Sequence, residues 1–315
     1  MALKLSELLA VISSDIDEEL KSIPDVVEKS PDSFDVSDLP ISKREWHKLE
    51  DVVAVAVDLK GSSKLSTGKH AASTASIYEA STDNAVRVLH HFGADFIQIQ
   101  GDGAFGLFWG DARYERAICA AISVKTFSEE LTAKIEHKWP DAPATGYKVG
   151  VASGRVLAKR IGTPRNPAEQ EPIWSGKPVN YAVKAAQTAD AGELIVTSEV
   201  WAEIEDNDYL VASCGHAGAE QREVAELWEN VTIEHVPDDA RDGRLLRSVW
   251  CASCGDDFSD AILAGKTSRQ DAKEVSAKAR SSALSEGLKR VRAERQARHD
   301  ARIRGLSRQP DPPRR

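Results

Sequence analysis

Two aspartates stand where a chain can present a carboxylate to a ligand. Asp58 ends an unbroken apolar run, Val52 to Val57, and is followed by Leu59-Lys60-Gly61-Ser62-Ser63. Asp102 sits between Gly101 and Gly103, with ADFIQIQ before the turn and AFGLFWG after it. Two carboxylates at one sheet edge suit hard divalent cations, whose remaining oxygen ligands are water and phosphate. Gly101 and Gly103 let backbone approach a phosphate closely. The Leu59 carbonyl is placed to help coordinate, and the 59–63 amides to hold phosphate oxygens. An Asp-Gly pair is also a common hairpin turn, so Asp102 alone decides nothing; its coincidence with Asp58 at a strand end points to metal.

A second group has a different chemistry. Cys214, His216, Cys251 and Cys254 have the donor types of a Cys₃His zinc site. The alternative is a set of reduced, buried thiols, and the chain between His216 and Cys251 must fold back for zinc to be bound. Cys119, in AICAA, reads as core.

The carboxylates meet only if the elements between them are right. The Val52–Val57 run predicts a strand covered on both faces. Residues 70–92 carry a helical stripe of Ala85, Val88, Leu89 and Phe92. The segments around Asp102 predict a β-hairpin. Residues 112–136 predict a long helix, followed by GYKVGVAS, GRVLA, a Pro-rich excursion at 160–173, a helix at 177–189 and the strand ELIVTS. The order strand, helix, strand, strand, helix, strand is a split βαββαβ unit, an α+β fold with its helices on one face of the sheet. In such a unit the first strand lies beside the hairpin, which brings Asp58 to Asp102. Outside it, 5–22 predict an amphipathic helix, and Pro24, Pro31 and Pro40 a linker. Short strands are expected near 209–214, 231–236 and 244–250, and a basic helix over 270–306. These readings divide the chain into a helix and linker (1–45), a central domain (46–250) and a C-terminal extension (251–315).

Composition narrows the class. Of 315 residues, 41% are hydrophobic and 29% charged, which is globular composition. No stretch is apolar enough to span a bilayer, and the N-terminus makes a poor signal peptide. Four Cys form no disulfide framework, so a reducing cytoplasm is expected. The net charge is −9, yet residues 266–315 hold 15 Lys and Arg against 6 Asp and Glu. A cationic helix lying against an acidic body is expected there, rather than nucleic-acid binding, since no aromatic residues are interleaved for base stacking.

Four blocks in register carry a resemblance over roughly 50–205. VAVAVDLKGSSKLS resembles the first metal-binding strand of class III nucleotidyl cyclases, and FIQIQGDGAFGLFWG their second metal-Asp hairpin. YKVGVASGRVLAKRIGTP resembles their GI-H-x-G-x-V segment, and SGKPVNYAVKAAQTADAGELIVTSEVW their G-x-x-V-N-x-A-x-R helix and following strand. The resemblance implies a cyclase in which a ribose 3′-hydroxyl attacks its own α-phosphate. It implies two Mn²⁺ or Mg²⁺ ions per site on Asp58 and Asp102, a phosphate-contacting cation at Lys148 and a ribose-positioning Asn180. Lys184 falls where most members have a transition-state Arg; it supplies a point charge in place of a bidentate fork. The resemblance also implies a homodimer with sites at the interface, Asp58, Asp102 and Lys148 coming from one chain and Gln98, Asn180 and Lys184 from the other.

Base choice is the sharpest departure. Where adenylate cyclases carry Lys, and guanylate cyclases an acid, this chain has Gln98; the second adenine-reading position aligns with Pro172-Ile173-Trp174. Gln both donates and accepts, which suits uracil and also cytosine. Trp46 and Trp174 are candidates for stacking on the base or walling out a purine, or are plain core. The chain is most similar to the uridylate and other pyrimidine cyclases of bacterial Pycsar anti-phage systems. Those imply UTP as substrate, cyclic UMP as product and a separate effector protein linked only through the cyclic nucleotide. The alternatives are a cytidylate or adenylate cyclase of the same fold, or a silent nucleotide-binding module. The GG-D/E-E-F turn of diguanylate cyclases is missing.

Overall fold

The computed structural model describes residues 4–65, 71–141, 143–217, 220–221, 223–246 and 248–275. The chain runs α1 (Leu5–Leu20), β1 (Asp25–Glu28), β2 (Glu45–Leu59), α2 (Ser62–Leu65), α3 (Ala71–Tyr78), a π-helical segment (Glu79–Asp83) and α4 (Asn84–His91). The hairpin β3 (Phe96–Gln100) and β4 (Gly103–Phe108) leads to α5 (Arg113–Lys138), then β5 (Tyr147–Gly162), β6 (Gln170–Gly176), α6 (Lys177–Thr188) and β7 (Glu193–Thr197). Last come α7 (Ser198–Ile204), α8 (Asp208–Val211), β8 (His216–Ala217), β9 (Glu220–Gln221), β10 (Trp228–Thr232), β11 (Asp242–Leu246) and α9 (Ala252–Leu263). Among the described residues no helix is long and apolar enough to cross a membrane. Most of the predicted basic helix lies outside the described residues.

Two units divide these elements: residues up to Leu49 with Val156–Ser175, and Glu50–Arg155 with the residues from Gly176 on. In the first, β1 pairs in parallel with the start of β2, Val26 opposite Trp46. Trp174 packs on Phe34 with ring centroids 5.9 Å apart. Helix α1 buries no residue, and Arg44 ties its C-terminal end down through Glu19 and the carbonyls of Glu19 and Ser22.

The second unit holds the sheet in the order β10-β11-β7-β5-β2-β4-β3. Val53, Val55, Val57, Val149, Val151, Leu194 and Val196 share one core with Ile118, Ala121 and Ile122 of α5, Leu89 of α4 and Trp201 of α7. Each such aliphatic side chain contributes about 1.5–3 kcal/mol by leaving water. The alternate residues point the other way. Ile195 and Leu245 form a second core with Ala185 of α6 and its C-cap Ala189. Helix α6 therefore crosses the face opposite α4 and α5, where the sequence predicted all helices on one face. Gly150 makes that crossing fit: a β-carbon there would stand 2.0 Å from the Ala182 carbonyl oxygen. The Val52–Val57 strand is buried on both faces, as its β-branched run predicts. Near 209–214 the structure has the short helix α8, not a strand; the Asn207 side chain caps it by accepting from the Tyr209 N–H at 3.0 Å.

Candidate active site

The hairpin register places the two aspartates. Val57 lies opposite Ala104 and Gln100 opposite Gly103, so the loop between β3 and β4 is Gly101-Asp102 alone. Gly101 has φ +64 and Asp102 does not share the positive φ, the pattern of a type II′ turn. Gly103 closes the space further: a β-carbon there would sit 2.5 Å from the Val57 carbonyl oxygen and 3.6 Å from the Asp58 Cα. Any side chain at 103 would push β4 away from the end of β2, and with it Asp102 away from Asp58.

The third strand, β5, brings a cation. Lys148 Nζ lies 2.8 Å from Asp58 Oδ2, the lysine largely buried and the aspartate half exposed. Its neighbour Tyr147 is buried, which pushes the phenol up, and the charge of Asp102 pushes it further. Asp102 keeps one oxygen, Oδ2, buried with no hydrogen-bond partner. A buried carboxylate oxygen left unpaired is costly, and a bound cation relieves that cost. Donor set and unpaired oxygen both fit a hard cation.

Leu59 ends β2 with its side chain in the core. The amides after it are not all free for phosphate: the Lys60 N–H donates to the Gly146 carbonyl at 3.0 Å. The Lys60 side chain pairs with Asp190. That hydrogen bond, with the Ala191 N–H and the charges of Lys60 and Lys148, holds the Asp190 carboxyl below the usual range.

A cleft of about 220 Å³ opens between these strand ends and α6, lined by Asp58, Gln100, Gly103, Phe105, Ala186 and Gln187 among others. Gln98 is half-buried on β3, opposite Phe105 and so on the same sheet face as Gln100. On α6, Ala182, Ala185 and Ala186 are buried and Asn180 is exposed. Asn180 Nδ2 donates to the Gly176 carbonyl at 3.1 Å, and Lys184 Nζ to Gln187 Oε1 at 3.1 Å. Among the described residues these hydrogen bonds stay within or next to α6. Within one chain the structure thus gathers Asp58, Asp102 and Lys148, and holds Asn180 and Lys184 on the outer side of α6. Trp46 and Trp174 belong to the other unit. Gln100 and Gln187 went unnoticed in the sequence; Gln187 lies three residues after Lys184, the one signal that it shares a helix face. Nothing in the sequence announces the Lys60–Asp190 pair.

Carboxylates on adjoining strand ends, a lysine against one of them and a helix over the same face are the arrangement expected from the resemblance to class III nucleotidyl cyclases. The solved adenylyl cyclase CyaB from P. aeruginosa has the same fold, with a TM-score of 0.51 at 13% identity over 71% of this chain and 98% of that one. No family model matches the sequence. The relatives that match include a uridylate cyclase of Propioniciclava tarda, 47% identical over 84% of this chain and 86% of its own length, and a uridylate cyclase of Micromonospora echinofusca, 48% identical over 85% and 87%. The chain belongs to the uridylate cyclase family and is a nucleotidyl cyclase.

Proposed function

We propose that the enzyme converts UTP to 3′,5′-cyclic UMP and pyrophosphate, as a homodimer, in the bacterial cytoplasm. The ribose 3′-oxygen attacks the α-phosphorus. A new P–O bond forms as the bond to the β-phosphate oxygen breaks, pyrophosphate leaves, and the hydroxyl proton passes to water. Asp58 and Asp102, with the Leu59 carbonyl, would hold two Mg²⁺ or Mn²⁺ ions, which when bound neutralise the triphosphate and acidify the 3′-hydroxyl. Gly101 and Gly103 leave room for the phosphates to come close. Lys148 turns from Asp58 to the phosphates. Asn180 orients the ribose, and Lys184 meets charge developing on the phosphorus.

The outward placement of Asn180 and Lys184 supports a site completed by a second copy. A two-fold pair repeats each contact, so each site takes Asp58, Asp102 and Lys148 from one chain and Gln98, Asn180 and Lys184 from its mate. Gln98 reads the pyrimidine by donating and accepting at once. In this reading the product signals phage infection to a separate effector protein.

The observation that carries the chemistry is the buried, unpartnered Oδ2 of Asp102 beside the Asp58–Lys148 pair; the names of the relatives carry the base. The test is incubation of the purified protein with each ribonucleoside triphosphate and Mn²⁺, with products identified by mass. Conversion of UTP is expected. Preference for CTP or ATP would overturn the base assignment, and no product from any of them would favour a silent binding module.

A further inference from the structure

Four side chains that the nucleotide chemistry does not use converge at the start of α9. Cys214 follows α8, His216 opens β8, Cys251 is the N-cap of α9, and Cys254 lies in its first turn. Their ligand atoms all lie within 4.8 Å of one another. A tetrahedral zinc with Zn–S bonds of about 2.3 Å requires sulfur atoms about 3.8 Å apart, so small rotamer adjustments close the shell. His216 Nδ1 is 3.3 Å from Cys254 Sγ, and the Cys251 N–H points at Cys214 Sγ from 3.4 Å. No pair among them forms a disulfide.

We propose that Cys214, His216, Cys251 and Cys254 bind one structural Zn²⁺. Three soft thiolates and an imidazole select zinc over the hard ions suited to Asp58 and Asp102. All four positions are filled by protein, so no open position is left for substrate or activated water. Three thiolates leave the centre with one net negative charge; the amide pointing at Cys214 and the N-terminal end of the 12-residue helix α9 offset it. The ion joins the α8–β8 corner to α9. A second tie already links the same segments. The Arg269 guanidinium reaches the Ala212 and Ser213 carbonyls at 3.1 and 3.0 Å and lies over the Phe258 ring, and the Arg269 N–H reaches Asp208 Oδ2 at 2.9 Å. Zinc would lock the exposed end of a joint whose buried end is Arg269. The proposal is independent of the cyclase reading.

The test is metal analysis of the full-length protein, purified under reducing conditions and passed through a mild chelator. About one zinc per chain is expected, retained in Asp58→Ala and lost in Cys254→Ser and His216→Ala. Because those variants can misfold, the wild-type protein is also stripped and reloaded with Co²⁺. It should then show the ligand-field bands of a tetrahedral ion together with thiolate charge-transfer absorption. Absence of zinc with no such spectrum would overturn the proposal. So would a Cys251–Cys254 disulfide in freshly prepared, metal-free protein, since the two thiols would then be a redox pair.

Discussion

The carboxylate end of the sheet and the thiol cluster at α9 answer the same question in opposite ways. At the first, Asp58 lines the cleft, a lysine stands against it, and one buried oxygen of Asp102 has no partner. At the second, three thiols and an imidazole bring their ligand atoms within 4.8 Å of one another. A site that must admit a triphosphate and release pyrophosphate needs hard, labile ions and open positions. A joint needs a closed shell. On the two proposed readings, the difference separates the chemistry of this chain from how its C-terminal part is held.

Four experiments break or sharpen that contrast. The largest effect is expected from Asp58→Ala: turnover should fall by more than about a thousandfold, the scale of several kcal/mol of transition-state stabilisation, while zinc content stays constant. Activity near the wild-type rate would remove Asp58 from the metal site. Next, Gln98→Lys should lower kcat/KM for UTP by about tenfold, as expected when a paired donor and acceptor becomes a donor alone; an unchanged preference among triphosphates would remove Gln98 from the base pocket. Mixing Asp58→Ala chains with Asn180→Ala chains should restore activity to about a quarter of wild type, because half the dimers are mixed and each has one intact site. No recovery after subunit exchange would argue that each chain builds its own site. The smallest catalytic effect is expected at the other centre. Cys254→Ser should keep turnover at low temperature within about twofold, yet lower Tm by about 5 °C or more, as loss of a folding-coupled metal does.

Much of the carboxylate end is legible in the sequence because its signals are local. A β-branched run cut off at Asp58 and an aspartate framed by glycines each declare their place within a few residues. The side of the sheet on which α6 lies is not legible. Helical periodicity tells which face of a helix is buried, not which face of a sheet receives it. The residue that admits α6 is Gly150, in the middle of a strand, where a glycine marks close approach of another backbone. The segment 209–214 misleads for a related reason. DYLVAS is a short apolar run, and what makes it helical is the Asn207 side chain in front of it. The excursion at 160–173 hides the start of strand β6, whose partner is β5. The Cys and His residues were visible as donor types, but only the fold supplies the return from His216 to Cys251 that brings them within reach.

A crystal of the protein grown with Mn²⁺ and a non-hydrolysable UTP analogue tests the central claim most directly. Anomalous density between the Asp58 and Asp102 carboxylates, against the triphosphate and with Lys148 moved from Asp58 to a phosphate oxygen, is the result expected. Density for nucleotide with no manganese at either aspartate, and Lys148 still paired with Asp58, would contradict it.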